Sequence, residues 1–155
     1  MKQFISLVIV FFIGVLPCLA GSLSFGTHCV ERNMIAELAV EVSTGASTLS
    51  QLGFTINYDP ERLEFIGCHP GDVEPVGGWD QLEATEVAPG QLEVYAYSES
   101  SVIPTSTNDV LFYVDLCYFY QEGSPGDIMP IEYSNLMYDL AGFTSNDSFL
   151  EQGFG

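Results

Sequence analysis

From residue 21 onward the chain reads as short stretches of alternating apolar and polar side chains separated by turn-forming residues. In Ile35 to Val42, the set Ile35, Glu37, Ala39 and Glu41 alternates with Ala36, Leu38, Val40 and Val42. That period of two predicts a half-buried strand with its acids on one face and its aliphatics on the other. Gly53 to Tyr58 repeats the pattern, with Phe54, Ile56 and Tyr58 inward and Gly53, Thr55 and Asn57 outward, until Asp59-Pro60 stops it. Leu63 to Cys68, Gln91 to Ser98, Val110 to Tyr120 and Ile128 to Leu136 are further β-rich runs. Between the runs lie Pro70-Gly71-Asp72, Gly77-Gly78, Pro89-Gly90 and Pro125-Gly126-Asp127, where proline presets φ and glycine accepts a positive φ. Short strands at such spacing, with no stretch of helical period, predict a single all-β sandwich over residues 21–155. Its expected core includes Phe54, Ile56, Tyr58, Leu63, Val114, Leu116 and Tyr118.

The first twenty residues stand apart from this pattern. Lys2, an apolar run from Phe4 to Leu16, and the small residues Ala20 and Gly21 at a cleavage position give the three parts of a secretory signal peptide. The run is shorter than the roughly 20 residues of a spanning helix, and Pro17 is a poor neighbour for lipidation of Cys18. A secreted protein with no membrane anchor after cleavage is expected. Composition sharpens this reading. The chain has 155 residues, 21 Asp plus Glu against 3 Lys plus Arg, and a formal charge of -18. Nucleic-acid backbones and anionic lipid both call for clustered Lys and Arg, so neither is an expected partner. The 47% apolar content supplies enough to bury and excludes a disordered acidic tail. The acidity favours solubility and steers toward cationic or metal-carrying partners.

Catalytic chemistry is not marked out. The many carboxylates make accidental pairs inevitable, and no pair has the set separation that glycoside hydrolysis requires. Ser98-Glu99-Ser100-Ser101 lacks the glycine-flanked nucleophile elbow. His28 and His69 lack metal-ligand spacing, and Asp59, Asp72, Asp80 and Asp127 match no calcium loop. No enzyme, cofactor or resident metal is expected. Trp79, in the glycine-flanked segment Gly77-Gly78-Trp79-Asp80, reads either as a loop anchor or as part of a sugar-stacking row with Tyr113 or Phe119.

Two blocks carry a family resemblance. Gln51 to Asp72, QLGFTINYDPERLEFIGCHPGD, resembles the third and fourth strands of a cohesin: an alternating strand ending in Tyr-Asp-Pro, a Leu-Glu pair opening the next strand, and a Pro-Gly-Asp turn closing it. Asp109 to Leu140 is similar to that family's later pattern, a long apolar strand, a Gly-Ser-Pro-Gly turn, and a strand leading into NLMYD. The resemblance implies a two-sheet jelly-roll β-sandwich of about nine strands, the architecture cohesins share with several carbohydrate-binding modules. It implies a non-catalytic module that docks a dockerin, a small calcium-loaded helical module carried by other secreted and often polysaccharide-degrading proteins. The calcium comes with the dockerin. The alternative is a carbohydrate-binding module that recognises a polysaccharide through exposed aromatics.

In cohesins the docking platform is the outer face of the sheet that holds the eighth, third, sixth and fifth strands. Carried over by position, the contacts fall on Gln51, Gly53, Thr55 and Asn57 of one strand and on Val94, Ala96, Ser98 and Glu99 of another. Gln51 and Gly53 depart from the Asn and Asp often found there. Along Leu92 to Ser98, Tyr95 and Tyr97 share one face and Leu92, Val94, Ala96 and Ser98 the other. With the tyrosines in the core, the opposite face is flat, built of small residues and suited to a partner helix. Ala96→Arg is then expected to block docking without loss of stability. After removal of Cys18, Cys29, Cys68 and Cys117 allow three pairings. The family's sheet order, in which the fourth and seventh strands are neighbours, selects a Cys68–Cys117 disulfide and leaves Cys29 as a thiol.

Overall fold

The computed structural model describes residues 21–25, 28–119 and 125–153. The expected signal segment, Cys18 and the Cys29 side chain lie outside what it describes. The alternating runs become two packed sheets with no helix among the described residues. A five-stranded sheet holds β1 (Ser22–Phe25), β3 (Ile35–Ser43), β5 (Leu63–Pro70), β8 (Asn108–Tyr118) and β10 (Thr144–Asn146) in the order β10-β1-β3-β8-β5. A six-stranded sheet holds β2 (His28–Val30), β4 (Gln51–Asn57), β6 (Gln81–Ala88), β7 (Gln91–Tyr97), β9 (Ile128–Tyr138) and β11 (Ser148–Gln152) in the order β2-β11-β9-β4-β7-β6.

The count exceeds the expected nine because the first and last strands each break and change sheets. β1 pairs with β10 and β2 with β11, both in parallel, whereas the other ladders are antiparallel. The first and last described strands are thereby fastened to each other in both layers. The last strand, which shows little apolar signal in sequence, is anchored by the fully buried Leu150 and by pairing with β9.

All seven expected core residues are buried: Phe54, Ile56, Val114, Leu116 and Tyr118 completely, Tyr58 and Leu63 nearly so. On β3 the aliphatics Ala36, Leu38, Val40 and Val42 enter the same core, as the acid-marked alternation requires. Phe25 stacks on Tyr133 with centroids 3.8 Å apart, and Phe54 meets Tyr133 edge-on at 5.5 Å. The Tyr133 hydroxyl donates to the Ser24 carbonyl at 3.1 Å, tying β9 of one sheet to β1 of the other. Burial pushes this phenol well above its ordinary pKa, so it stays a neutral donor. Gly90, at φ +74 in the β6–β7 turn, abuts the Tyr58 carbonyl so closely that a Cβ has no room.

The disulfide expectation fails on register. The β5–β8 ladder slips between Phe65 and Gly67, so that Glu64 lies opposite Cys117 and Cys68 opposite Val114. One extra residue inverts the alternation beyond it. Cys68 therefore turns inward and packs against the core, whereas Cys117 remains outward beside Leu116 and Tyr118 of the core. Along β8 their positions differ by three residues, about 10 Å at the rise of a strand, beyond the roughly 7 Å Cα separation a disulfide tolerates. Both thiols are free. Peptide mapping under non-reducing conditions is expected to find no Cys68–Cys117 peptide. Cys117 should alkylate ahead of Cys68, whose thiol is pushed up to about 11 by burial and then by the charge of Asp115. A recovered Cys68–Cys117 peptide overturns this register.

Candidate functional site

β4 sits between β9 and β7 in the middle of the six-stranded sheet, and its inner side chains Leu52, Phe54 and Ile56 are fully buried. The alternate residues Gln51, Gly53, Thr55 and Asn57 consequently line the outer face, as the sequence predicts. Directly opposed residues of neighbouring strands share a face. Gln51 pairs with Tyr97, Gly53 with Tyr95, Thr55 with Glu93 and Asn57 with Gln91, so the outer face of β7 consists of Gln91, Glu93, Tyr95 and Tyr97.

This reverses the expectation for β7. Val94 and Ala96 stand opposite Phe54 and Leu52 and are 2% and 0% exposed. Both belong to the core, and Ser98, just past the strand, is buried with its hydroxyl 3.3 Å from that of Ser101. Val94, Ala96 and Ser98 are therefore not platform residues. Glu99 is exposed beyond the strand end, its backbone N–H donating to Asp80 Oδ2 at 2.7 Å. The sequence held a signal for the correct choice. Glu93 alternates in phase with Tyr95 and Tyr97, and an unpaired carboxylate marks the solvent side.

Gly53 and Thr55, although outward, are covered by β9. A bulge between Gly53 and Thr55 in the β4–β9 ladder, with Asn135 in the left-handed region at φ 51°, brings Asn135 Nδ2 to donate to Thr55 Oγ1 at 3.2 Å. The side chains of Met137 and Tyr138 lie over Gly53, where any Cβ would meet them at 3.1–3.3 Å. Tyr138 then meets Tyr95 edge-on, with centroids 5.8 Å apart and planes at 72°, and the Gln51 amide donates to the Tyr95 hydroxyl at 3.1 Å. Asp139 fixes this corner: one carboxylate oxygen accepts from the Ser50 and Gln51 backbone N–H groups at 2.7 and 2.9 Å. At the other end of β4, Asn57 donates to Ser134 Oγ at 2.9 Å.

The result is a flat face with an aromatic and thioether centre, Tyr95, Tyr97, Met137 and Tyr138. Met137 is 42% and Tyr138 51% exposed. Glu83, opposite Tyr95 on the edge strand β6, and Glu132, opposite Asn57, give it an acidic margin with Glu93. Aromatic and Met-rich centres with polar rims are characteristic of protein-docking surfaces. Sequence reasoning passed over Tyr138 and Met137 because their position depends on the bulge.

The aromatics of the sugar-stacking reading do not form a row. Trp79 is half-buried, tilted against Phe112 at 5.6 Å, and packs on the core, which makes it a loop anchor. Tyr113 lies on the outside of the other sheet, stacked on His69, and Phe119 borders a hollow at the sandwich end with Pro60, Leu63 and Val87. The turn carboxylates are equally dispersed: Asp59 pairs with Arg62, Asp72 accepts from Tyr113 and Asp80 from Glu99.

No family model matches the chain, and no curated protein matches it. Solved structures do. The chain is similar to the sixth cohesin of scaffoldin B from Acetivibrio cellulolyticus, solved in complex with a Cel5 dockerin mutant, at TM-score 0.70 and 16% identity over 86% of this chain and 99% of that one. It is similar to the type I cohesin–dockerin complex Coh-OlpA-Doc918 from Clostridium thermocellum, at TM-score 0.70 and 17% identity over 86% and 99%. A non-cellulosomal cohesin from the archaeon Archaeoglobus fulgidus superposes at TM-score 0.66 and 13% identity over 86% and 91%. The fold of this chain is the cohesin jelly-roll sandwich.

Proposed function

We propose that the chain is a secreted, non-catalytic docking module that captures a dockerin-bearing protein through the outer face of β9, β4, β7 and β6. The observation that carries this reading is the uncovered patch of Tyr95, Tyr97, Met137 and Tyr138 on that face, within a fold whose solved relatives include cohesins in complex with dockerins. Gln51 and Asn57 offer side-chain amides at the two ends of β4, and Glu83, Glu93 and Glu132 favour a partner with basic flanks. Calcium belongs to the dockerin, and residues 1–20 direct export. Among the described residues no helix is long and apolar enough to cross a membrane.

The test is titration of the protein with calcium-loaded dockerins from the secreted proteins of its source, with and without chelator. One-to-one binding that disappears when calcium is removed is the expected result. Failure of every dockerin to bind, together with retention on insoluble polysaccharide, overturns the reading in favour of a sugar-binding module.

A further inference from the structure

On the outside of the five-stranded sheet, the layer opposite the docking face, three side chains from three strands converge. Glu37 of β3 lies directly opposite Asp115 of β8. On the other flank, the β5 slip that turns Cys68 inward places Gly67 opposite Asp115 and His69 opposite Tyr113. With no side chain at Gly67, His69 reaches across to Asp115, Nδ1 to Oδ2 at 3.4 Å. One donor atom from each of Glu37, His69 and Asp115 lies within 4.8 Å of the other two.

From this convergence we infer a binding site for a divalent transition ion of the zinc class, with Glu37, His69 and Asp115 as its protein ligands. Four further observations support it. The 3.4 Å separation is longer than the about 2.7–2.9 Å of a charge-assisted hydrogen bond. It fits two ligands sharing one ion, since bonds of about 2.0–2.1 Å at a tetrahedral angle place donor atoms about 3.3 Å apart. Asp115 Oδ1 is buried and has no hydrogen-bond partner, a costly state for a carboxylate oxygen that a cation relieves. Glu37 and Asp115 are like charges directly opposed across an antiparallel ladder, an arrangement that destabilises a sheet unless a positive charge lies between them. The His69 ring is held in place by Tyr113, stacked at 5.1 Å and 20°, whose hydroxyl donates to Asp72 at 3.2 Å. Such outer support orients a ligating imidazole.

The donor set selects the ion. One imidazole and two carboxylates suit zinc, whereas calcium takes six to eight oxygens, as a rule about 2.3–2.6 Å away. Three protein ligands on a partly exposed surface leave a position for water or for a side chain of another molecule. The ligands are invisible to spacing rules because each comes from a different strand, brought together by register alone.

Calorimetric titration of the isolated, dockerin-free protein with zinc chloride tests the site. One ion per chain is expected, undiminished by excess calcium chloride. Glu37→Gln and His69→Gln each change an accessible side chain and are expected to weaken zinc binding at least about tenfold, with the metal-free melting temperature retained. Cobalt(II) should give a visible d–d spectrum in the parent protein and not in His69→Gln. Absence of saturable zinc binding, binding unchanged in His69→Gln, or binding lost in Cys117→Ser but kept in His69→Gln each overturns the site. Because no dockerin is present, these outcomes are independent of the docking reading.

Discussion

Ala96→Arg is expected to unfold the domain or to leave it barely folded. Ala96 has no exposed surface, and it stands between Leu52 on one neighbouring strand and Leu82 on the other, with its Cβ directed into the sandwich. An arginine there must force its volume between packed side chains and bury a guanidinium with no buried carboxylate among the described residues to receive it. Such changes cost on the order of 4 kcal/mol or more, against a total domain stability of about 5–15 kcal/mol. The expected fall in Tm is about 10–20 °C or complete loss of the transition, read by near-ultraviolet circular dichroism and a thermal melt. A variant that melts within a few degrees of the parent overturns the inward placement of β7's aliphatic set. Loss of docking in this variant would report unfolding and says nothing about the platform.

The double variant Tyr95→Ala/Tyr138→Ala is expected to keep the parent's melting temperature and to lose dockerin affinity by at least about 30-fold, roughly 2 kcal/mol. The two rings touch each other edge-on at the centre of the outer face, and central aromatics dominate docking energies while rim contacts contribute little. Neither belongs to the buried core, so truncation leaves no cavity beneath it. The comparison variant is Ile66→Ala, half-exposed on β5 of the opposite sheet, for which unchanged affinity is expected. Affinity titrations of the dockerin identified by the binding panel decide the matter. Retained affinity in the tyrosine pair removes this face as the platform, and a loss in Ile66→Ala moves the interface to the other sheet.

How far the site was legible in sequence can be traced strand by strand. On β3 and β4 one alternate set is plainly apolar and the other carries Glu37 and Glu41, or Gly53, Thr55 and Asn57, so the period of two also says which set is inside. On β7 the two sets are Leu92, Val94 and Ala96 against Glu93, Tyr95 and Tyr97, and two large aromatics compete with three aliphatics for the interior. The family-based positions Val94 and Ala96 were misplaced by that ambiguity, while the family-based positions on β4 face outward. β6 was missed because it is an edge strand whose inward contribution is only Leu82 and Ala84, both partly exposed, too weak a signal to separate from a polar loop.

The sequence by itself determined the class of structure: residues alternate with the period of a strand, turns interrupt them at fixed places, and no helical period competes, so two apolar faces had to pack as a sandwich. It also determined the heart of the core, because Phe54, Ile56 and Tyr58 alternate with polar or small residues and so mark the buried set. Tertiary structure alone decided parity and convergence. A bulge adds one residue without changing composition, and each bulge flips the faces of everything beyond it. The slip in β5 sent Cys68 inward and His69 toward Asp115, and the slip in β9 laid Met137 and Tyr138 over Gly53. Which face a strand turns outward is set by the neighbour it pairs with, and that partner is not written in the strand's own residues.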